Sequence, residues 1–391
     1  MSMRVNPLLA AVAAPPIPEV AAWVEGRRFP PERPLIDLAQ AVPGYPPAAA
    51  LQEHLARKVG EAETARYTEI EGVPALREAL AADIAGLYGG RVSAEEVLVC
   101  AGCNQAFCLA TLALAGPGDE VLLPLPYYFN HRMWLDTLGV RAVHLPFRAD
   151  RGGVPDPEEA ARLIGPRTRA IVLVTPNNPT GAVYPPEAIA AFYELAQANK
   201  LALILDETYR DFLPADGAPH GLFADPAWPD TLIHLYSFSK VFSLTGYRVG
   251  AVVCGSALRA EIAKAMDCVA ICAPRIGQQA ALFGLRHLAG WRRDNALTMR
   301  DRLQALRAAL DRNDIGYRLV SAGAYFAYLA HPFDDEPSTA VARRLAQEQG
   351  LLTLPGSVFG PAQEEYLRLA FANVGAEVMP AVTERLAASL G

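Results

Sequence analysis

The sequence predicts an α/β fold: a three-layer large domain on a mostly parallel seven-stranded sheet, plus a smaller α+β domain formed by the N-terminal segment and the C-terminal part. Three observations predict it. Seven short apolar runs rich in branched residues recur between Val97 and Cys254. Ala- and Leu-rich stretches with helical spacing separate most of them, and strands alternating with helices form a parallel sheet covered on both faces. After Gly277 the alternation gives way to long helical patterns with a few strand-like runs. With 391 residues and 52% hydrophobic content, the chain has enough apolar material for both domains.

Taken in order, the chain begins MSMRVNPLLAAVAAPP. This faintly resembles a signal peptide, but Asn6-Pro7 interrupts its brief apolar run, so a surface arm docked on the fold is expected. Prolines crowd residues 15–47 and restrict them to an extended lead-in with at most a short helix near Glu19–Glu25. Strands are expected at Val97–Cys100, Val121–Leu123, Ala142–Leu145, Ala170–Thr175, Leu201–Asp206, Leu232–Tyr236 and Val249–Cys254. Helical patterns include Pro74–Leu87, Gln105–Leu114, Pro186–Asn199 and Ala257–Met266. The tail reads as helices at Gln278–Leu288 and Trp291–Arg312, strands at Tyr317–Val320 and Tyr325–Leu329, a helix at Ser338–Gly350, a strand near Tyr366–Phe371 and a last helix at Ala376–Leu390. The expected division is 1–47 (arm and part of the small domain), 48–277 (large domain) and 278–391 (small domain).

Charge and composition exclude several functions. Net charge is −7 with no run of five like charges, which argues against a nucleic-acid or anionic-membrane surface. The most apolar window, Val97–Leu114, carries Asn104, Gln105 and Thr111, so no membrane span is expected. Six cysteines sit mostly in apolar runs and read as reduced thiols of a cytoplasmic protein. Cys100-Ala-Gly-Cys103 has the spacing of a redox or zinc pair, but no second pair or nearby His completes a ligand set, and no metal is expected.

In an open parallel α/β sheet, ligands bind outside the carboxyl ends of the strands. Gly102-Cys103-Asn104-Gln105 follows the first strand and leads into a helix whose N–H groups suit a phosphate, although a tight turn without a ligand reads equally well. Tyr127-Tyr128 after the second strand presents an aromatic face. Pro176-Asn177-Asn178-Pro179-Thr180-Gly181 follows the fourth, with Asn178 as a side-chain donor. The fifth ends in Asp206-Glu207-Thr208-Tyr209, and a carboxylate ending a buried strand needs a cation or donor partner. Ser237-Phe238-Ser239-Lys240 follows the sixth, and Arg248 precedes the seventh. The chain has only four lysines among thirty-five Lys and Arg, and lysine, unlike arginine, loses its proton readily when desolvated. An amine, a carboxylate, an aromatic face, an amide and a phosphate cradle thus converge on one rim, the parts that pyridoxal 5′-phosphate requires.

Asn178-Pro179-Thr180-Gly181, Asp206-Glu207-Thr208-Tyr209, Ser237-Phe238-Ser239-Lys240 with Arg248 eight residues on, and Leu367-Arg368-Leu369 resemble the class I/II aminotransferases, the fold-type I pyridoxal-phosphate enzymes related to aspartate aminotransferase. The resemblance runs from about Leu35 to the C-terminus. It implies an aminotransferase acting on amino acids and 2-oxo acids by a ping-pong route. Lys240 is then the Schiff-base lysine and the base that shuttles the proton. Asp206 holds the ring nitrogen protonated, and Tyr209 and Asn178 bond the ring oxygen. Tyr128 stacks on the ring. The phosphate is met by the turn at Gly102, the N–H groups of Cys103 and Asn104, Ser237, Arg248 and the partner subunit's Tyr67. Arg368 clamps the substrate α-carboxylate, and Asn178 also belongs to the substrate-binding set. A homodimer with shared sites is implied, and cis peptides are expected at Leu125-Pro126 and Asn178-Pro179.

The chain departs from the family pattern at Cys103, where Ser or Thr is common, and at Ala41-Val42-Pro43 in place of Gly-x-Pro. Asp267, with Arg275 a few residues on, falls near the position of the arginine that binds a distal acid in dicarboxylate-specific relatives, which argues against an aspartate enzyme. His131 and Arg132 are expected either to line the substrate pocket or to lie on a surface helix. Two other functions stand beside transamination: β-elimination on the same cofactor, and a non-catalytic regulator that keeps the fold. Regulators of this kind usually carry an N-terminal DNA-binding domain, for which the short lead-in leaves no room.

Overall fold

The computed structural model describes residues 3–311 and 315–391. Two short N-terminal helices, α1 (Pro7–Ala10) and α2 (Pro16–Ala22), lead to strand β1 (Ile36–Asp37) and helices α3 (Ala49–Val59) and α4 (Pro74–Tyr88). The alternating part then runs β2 (Val97–Cys100), α5 (Cys103–Leu114), β3 (Glu120–Pro124), α6 (Phe129–Leu138), β4 (Arg141–Leu145), α7 (Pro157–Leu163), β5 (Thr168–Val174), α8 (Pro186–Ala198), β6 (Ala202–Asp206), β7 (Leu232–Ser237), α9 (Phe238–Val241), β8 (Gly250–Val253) and α10 (Ser256–Ala270). The tail holds α11 (Arg275–His287), α12 (Ala289–Leu310), β9 (Arg318–Gly323), β10 (Phe326–Ala330), α13 (Ser338–Gln349), β11 (Leu351–Leu352), β12 (Leu354–Pro355), β13 (Tyr366–Leu369) and α14 (Met379–Ala388).

Local chemistry accounts for many of the boundaries. Pro7, Pro16, Pro74, Pro157 and Pro186 each occupy the first turn of a helix, where a missing N–H costs nothing. That is why the first lead-in helix covers Pro16–Ala22 rather than the expected Glu19–Glu25: both Pro16 and Pro18 fit its first turn. Asp156 caps α7 by accepting the N–H of Glu158 at 2.9 Å. Helix α6 was not anticipated, because Asn130, His131, Arg132 and Asp136 break up its apolar stripe. The final helix begins at Met379, after a short 3₁₀ turn at Ala376–Val378. Helix α12 ends at Leu310, and the expected terminal residue Arg312 lies outside the described residues.

The seven-stranded sheet has the order β2-β8-β7-β6-β5-β3-β4. Strands β3 to β7 pair in parallel, whereas β8 runs antiparallel to both β7 and β2. The carboxyl ends of the other six strands therefore share a rim with the amino end of β8. Strands β6 and β7 are buried almost throughout, as expected for a sheet covered on both faces. A separate four-stranded antiparallel sheet, β12-β13-β10-β9, belongs to the tail, and the parallel pair β1-β11 joins the lead-in to it. Its own core gathers Leu303, Leu306, Val341, Leu345, Leu367 and Leu386. Ile36 of the lead-in pairs with Leu351, which ties the two ends of the chain together. No helix among the described residues is long and apolar enough to cross a membrane.

Candidate active site

The turn after β2 and the turn before β8 meet at the rim. Gly102 has φ +86, and a Cβ there would lie 2.4 Å from Nη2 of Arg248, so only glycine lets the guanidinium close over the start of α5. The N–H groups of Cys103 and Asn104 open that helix, where no intrahelical carbonyl reaches them. Arg248 donates to the carbonyls of Thr245 (3.1 Å) and Ala101 (3.2 Å) and pairs with no carboxylate among the described residues. Ser237 ends β7, and its Oγ accepts the N–H of Ser239 at 3.2 Å. The result is a positively charged cup suited to a phosphate-sized dianion.

Across a cavity of about 450 Å³ from this cup lies Asp206. Its Oδ1 accepts the N–H of Thr208 at 3.0 Å, and Nε2 of His131 lies 3.4 Å from Oδ2. Burial opposes its ionisation, but the hydrogen bond and charge of His131 and the bonds from Thr208 outweigh it, and the pKa falls below the usual carboxylate value. Lys240 projects between the two, and Nζ donates to the carbonyl of Ala41 at 2.6 Å. Burial, then the nearby Arg368 and Arg248, lower its pKa to about 8. Part of the amine is therefore unprotonated near neutral pH. Tyr128 is pushed up to about 12 by burial, and burial raises Tyr209 well above its usual value, so both are neutral phenols. Tyr209 packs edge-on against Phe326 at 5.2 Å.

Arg368 comes from β13 of the tail sheet. Nη1 donates to Oδ1 of Asn178 at 3.1 Å and Nη2 to the carbonyl of Ala39, while Nε has no partner. Burial lowers its pKa to about 10. Among the described residues no carboxylate pairs with it. A buried guanidinium without a counter-charge is costly unless an anion arrives.

The structure thus gathers Cys103, Asn104, Tyr128, Asn178, Asp206, Tyr209, Ser237, Lys240 and Arg248 around one cavity, with Gly102 behind Arg248 and Arg368 against Asn178. Tyr67 is elsewhere: it is 72% exposed, and Arg275 holds its segment by donating to the carbonyls of Arg66 (3.1 Å) and Tyr67 (2.7 Å) and to Glu63 (2.9 Å). Arg275 is thereby committed to local structure. His131 does not line the cavity but lies behind Asp206, stacked on Phe107 at 3.9 Å. Arg132 takes the helix-surface role, bonded to Asp136 (2.8 Å) and facing His144 (3.0 Å). Leu125-Pro126, Asn178-Pro179 and also Thr175-Pro176 are cis. Cys100 and Cys103 are both free thiols.

Sequence reasoning did not assign Gln40, Thr208, Ser239 or Thr245, which also line the cavity. Three of these lie within or beside recognised motifs; Gln40 carried no signal of its own. The segment around it is fixed by Asn373, whose Nδ2 donates to the carbonyls of Asp37 (3.1 Å) and Gln40 (2.6 Å) and whose Oδ1 accepts the N–H of Val42 at 3.0 Å.

Residues 33–386 match the family described as aminotransferase class I and II. The chain belongs to that family. An arginine–pyruvate transaminase of Pseudomonas aeruginosa is 32% identical over 332 residues, 82% of this chain and 81% of that protein. An aspartate/prephenate aminotransferase of Thermus thermophilus is 31% identical over 368 residues, 91% of each chain. The solved aspartate aminotransferase of Thermus thermophilus with maleate superposes with a TM-score of 0.90 at 28% identity, covering 99% of this chain and 100% of that one. The chain is an aminotransferase with the aspartate aminotransferase fold, and these relatives differ among themselves in the substrates their names carry.

Proposed function

We propose that this aminotransferase uses pyridoxal 5′-phosphate to move an amino group from an L-amino acid to a 2-oxo acid in two alternating half-reactions at Lys240. One observation carries the reading: a buried amine with its pKa lowered to about 8 shares a cavity with an ionised buried carboxylate, Asp206, and adjoins an arginine, Arg368, that has no carboxylate partner. The residues fit the cofactor part by part. The cup of Gly102, Cys103, Asn104, Ser237 and Arg248 suits its phosphate, Asp206 its ring nitrogen, Tyr209 and Asn178 its ring oxygen, and Tyr128 its ring face. Bound there, it supplies an aldehyde to which amines bond and a protonated ring that accepts the electron pair left at the substrate Cα.

The chain's own residues do the rest. Asp206 is a carboxylate before any ligand binds, so it holds a proton on the ring nitrogen by charge. Arg368 receives the substrate α-carboxylate through its free Nε and its fork, while Asn178 and the Ala39 carbonyl keep the guanidinium in place. That fixes the Cα–H within reach of Lys240. With the cofactor bound, Lys240 Nζ would take up and hold the Cα proton, work for which a pKa near 8 is suited.

A homodimer belongs to the same reading, with the partner subunit's Tyr67 completing the phosphate cup. The exposure of Tyr67, Val269 and Ile271 supports it, since Thr68 and Cys272 are in contact at 3.4 Å and the exposed residues flank them. Six free thiols favour a cytoplasmic setting. The division at 1–47, 48–277 and 278–391 is supported by the separate sheets and by the β1-β11 pair. The test is a purified protein that is yellow and whose absorbance shifts when an amino donor alone is added; no shift across a panel of amino acids would sink the reading.

A further inference from the structure

Glu207 follows Asp206 and faces the other way, because successive side chains at a strand end alternate between faces. Asp206 turns toward His131; Glu207 turns toward Tyr88 of α4, away from the cavity, and is fully buried. Its Oε2 accepts the hydroxyl of Tyr88 and lies 3.2 Å from Nε2 of His220, in the loop after Phe212, and 3.0 Å from Nε2 of His234 on β7. Nδ1 of His220 accepts the N–H of Leu222 at 3.1 Å, so that ring carries its proton on Nε2, aimed at Glu207. Burial lowers the pKa of His234, which leaves it neutral. One carboxylate oxygen thus takes hydrogen bonds from Tyr88 and His220, on two separate elements, with the His234 ring of a third packed 3.0 Å away.

A buried charge of this kind is no general device for stability, since apolar residues of similar volume usually serve as well. Its place in the chain is what distinguishes it. Glu207 is one residue from Asp206 and two from Tyr209. Its N–H donates to the Leu235 carbonyl of β7 at 3.0 Å, two residues before Ser237, and His234 lies on the same strand. The charged groups around it are locked as well: Arg210 pairs with Asp83, and Arg292 bridges Asp83 (2.7 Å) and Asp211.

We propose that Glu207 is a positioning residue: by drawing Tyr88 and His220 onto one oxygen beside His234, it fixes Asp206 and Tyr209 against Ser237 at the end of β7 and Lys240 in α9. The proposal rests on the cofactor reading above. The test is Glu207→Gln, which keeps the shape and removes the charge, with pyridoxal phosphate titrated into the apoprotein and unfolding followed in parallel. The expected result is a cofactor Kd weakened about tenfold or more and a shifted pH midpoint of the bound cofactor's absorption band. Tyr88→Phe and His220→Gln each remove one donor and are expected to weaken Kd about threefold, so the proposal stays testable if Glu207→Gln does not fold. Lower unfolding midpoints with Kd and band unchanged would make the cluster merely structural and overturn it. If the unaltered protein binds no pyridoxal phosphate, the cofactor reading fails and takes this proposal with it.

Discussion

Arg368 in front of the β6 strand end and Arg210 behind it are both buried, yet their surroundings treat the charge in opposite ways. Arg210 is paired with Asp83 and lies 3.8 Å from the ring centroid of Tyr236 and 5.6 Å from that of Tyr88. Burial works against its charge, but Tyr88, Tyr236, Asp83 and Asp211 outweigh it and raise its pKa well above the usual value. Arg368 bonds the amide and carbonyl oxygens of Asn178 and Ala39 and lies over the rings of Phe326 and Phe359 with no carboxylate paired to it among the described residues, and its pKa falls to about 10. Burial therefore does not separate a structural arginine from one that waits for a ligand. The missing counter-charge does.

Experiments at the front and back of this strand end can break or sharpen that contrast. Lys240→Ala should lower kcat/KM by at least about 10⁴-fold, and retained turnover would remove Lys240 from its role. At the back, Arg210→Met leaves Asp83 short of a buried partner and should cost about 3–5 kcal/mol in denaturant unfolding; the KM for amino donors should stay within about threefold. At the front, Arg368→Ala should raise that KM about 10²–10³-fold. Its unfolding free energy should hold or rise, because an uncompensated buried charge is lost. If the two variants show the same pattern, the distinction fails.

Just above neutral pH the response of the front should come from Lys240. Lys240 has a lowered pKa, about 8 when folded against 10.5 in the reference state, so the unfolded chain binds the extra proton between those values and the contribution of Lys240 to apoprotein stability climbs with pH across that window. Below pH 8 the free-amine fraction drops about tenfold per unit, and stopped-flow rates of cofactor uptake should follow it. Lys240→Met should remove that contribution, read as the difference between the two stability–pH curves. The smallest effect is expected at the phosphate cup: Cys103→Ser should change the cofactor Kd by no more than about threefold, since Cys103 contributes its backbone N–H there.

Legibility in the sequence followed locality. Strands β5, β6 and β7 were readable because apolar runs bounded by Asn-Pro, Asp-Glu and Ser-Phe-Ser-Lys segments carry both the strand and its end. Helix α6 was not, since its polar residues hide a stripe that packs only once α5 and β4 are in place. Asp206 and Lys240 could be named from their strand ends. His131 was misplaced, because whether a residue on a short helix faces a pocket or the back of a carboxylate depends on how that helix packs.

The sequence by itself determined the alternation of strands and helices, the set of chemical groups on the rim and the family to which they belong, because each of these is written in contiguous residues. Only the tertiary structure decided the electrostatic state of those groups. The lowered pKa of Lys240 needs the burial supplied by surrounding elements and the charge of Arg368, 128 positions away in the chain. The contact of Arg368 with Asn178 spans 190 positions. The bridge from Glu207 to Tyr88 spans 119. Desolvation and Coulomb interactions depend on distance in space, and no local pattern encodes them.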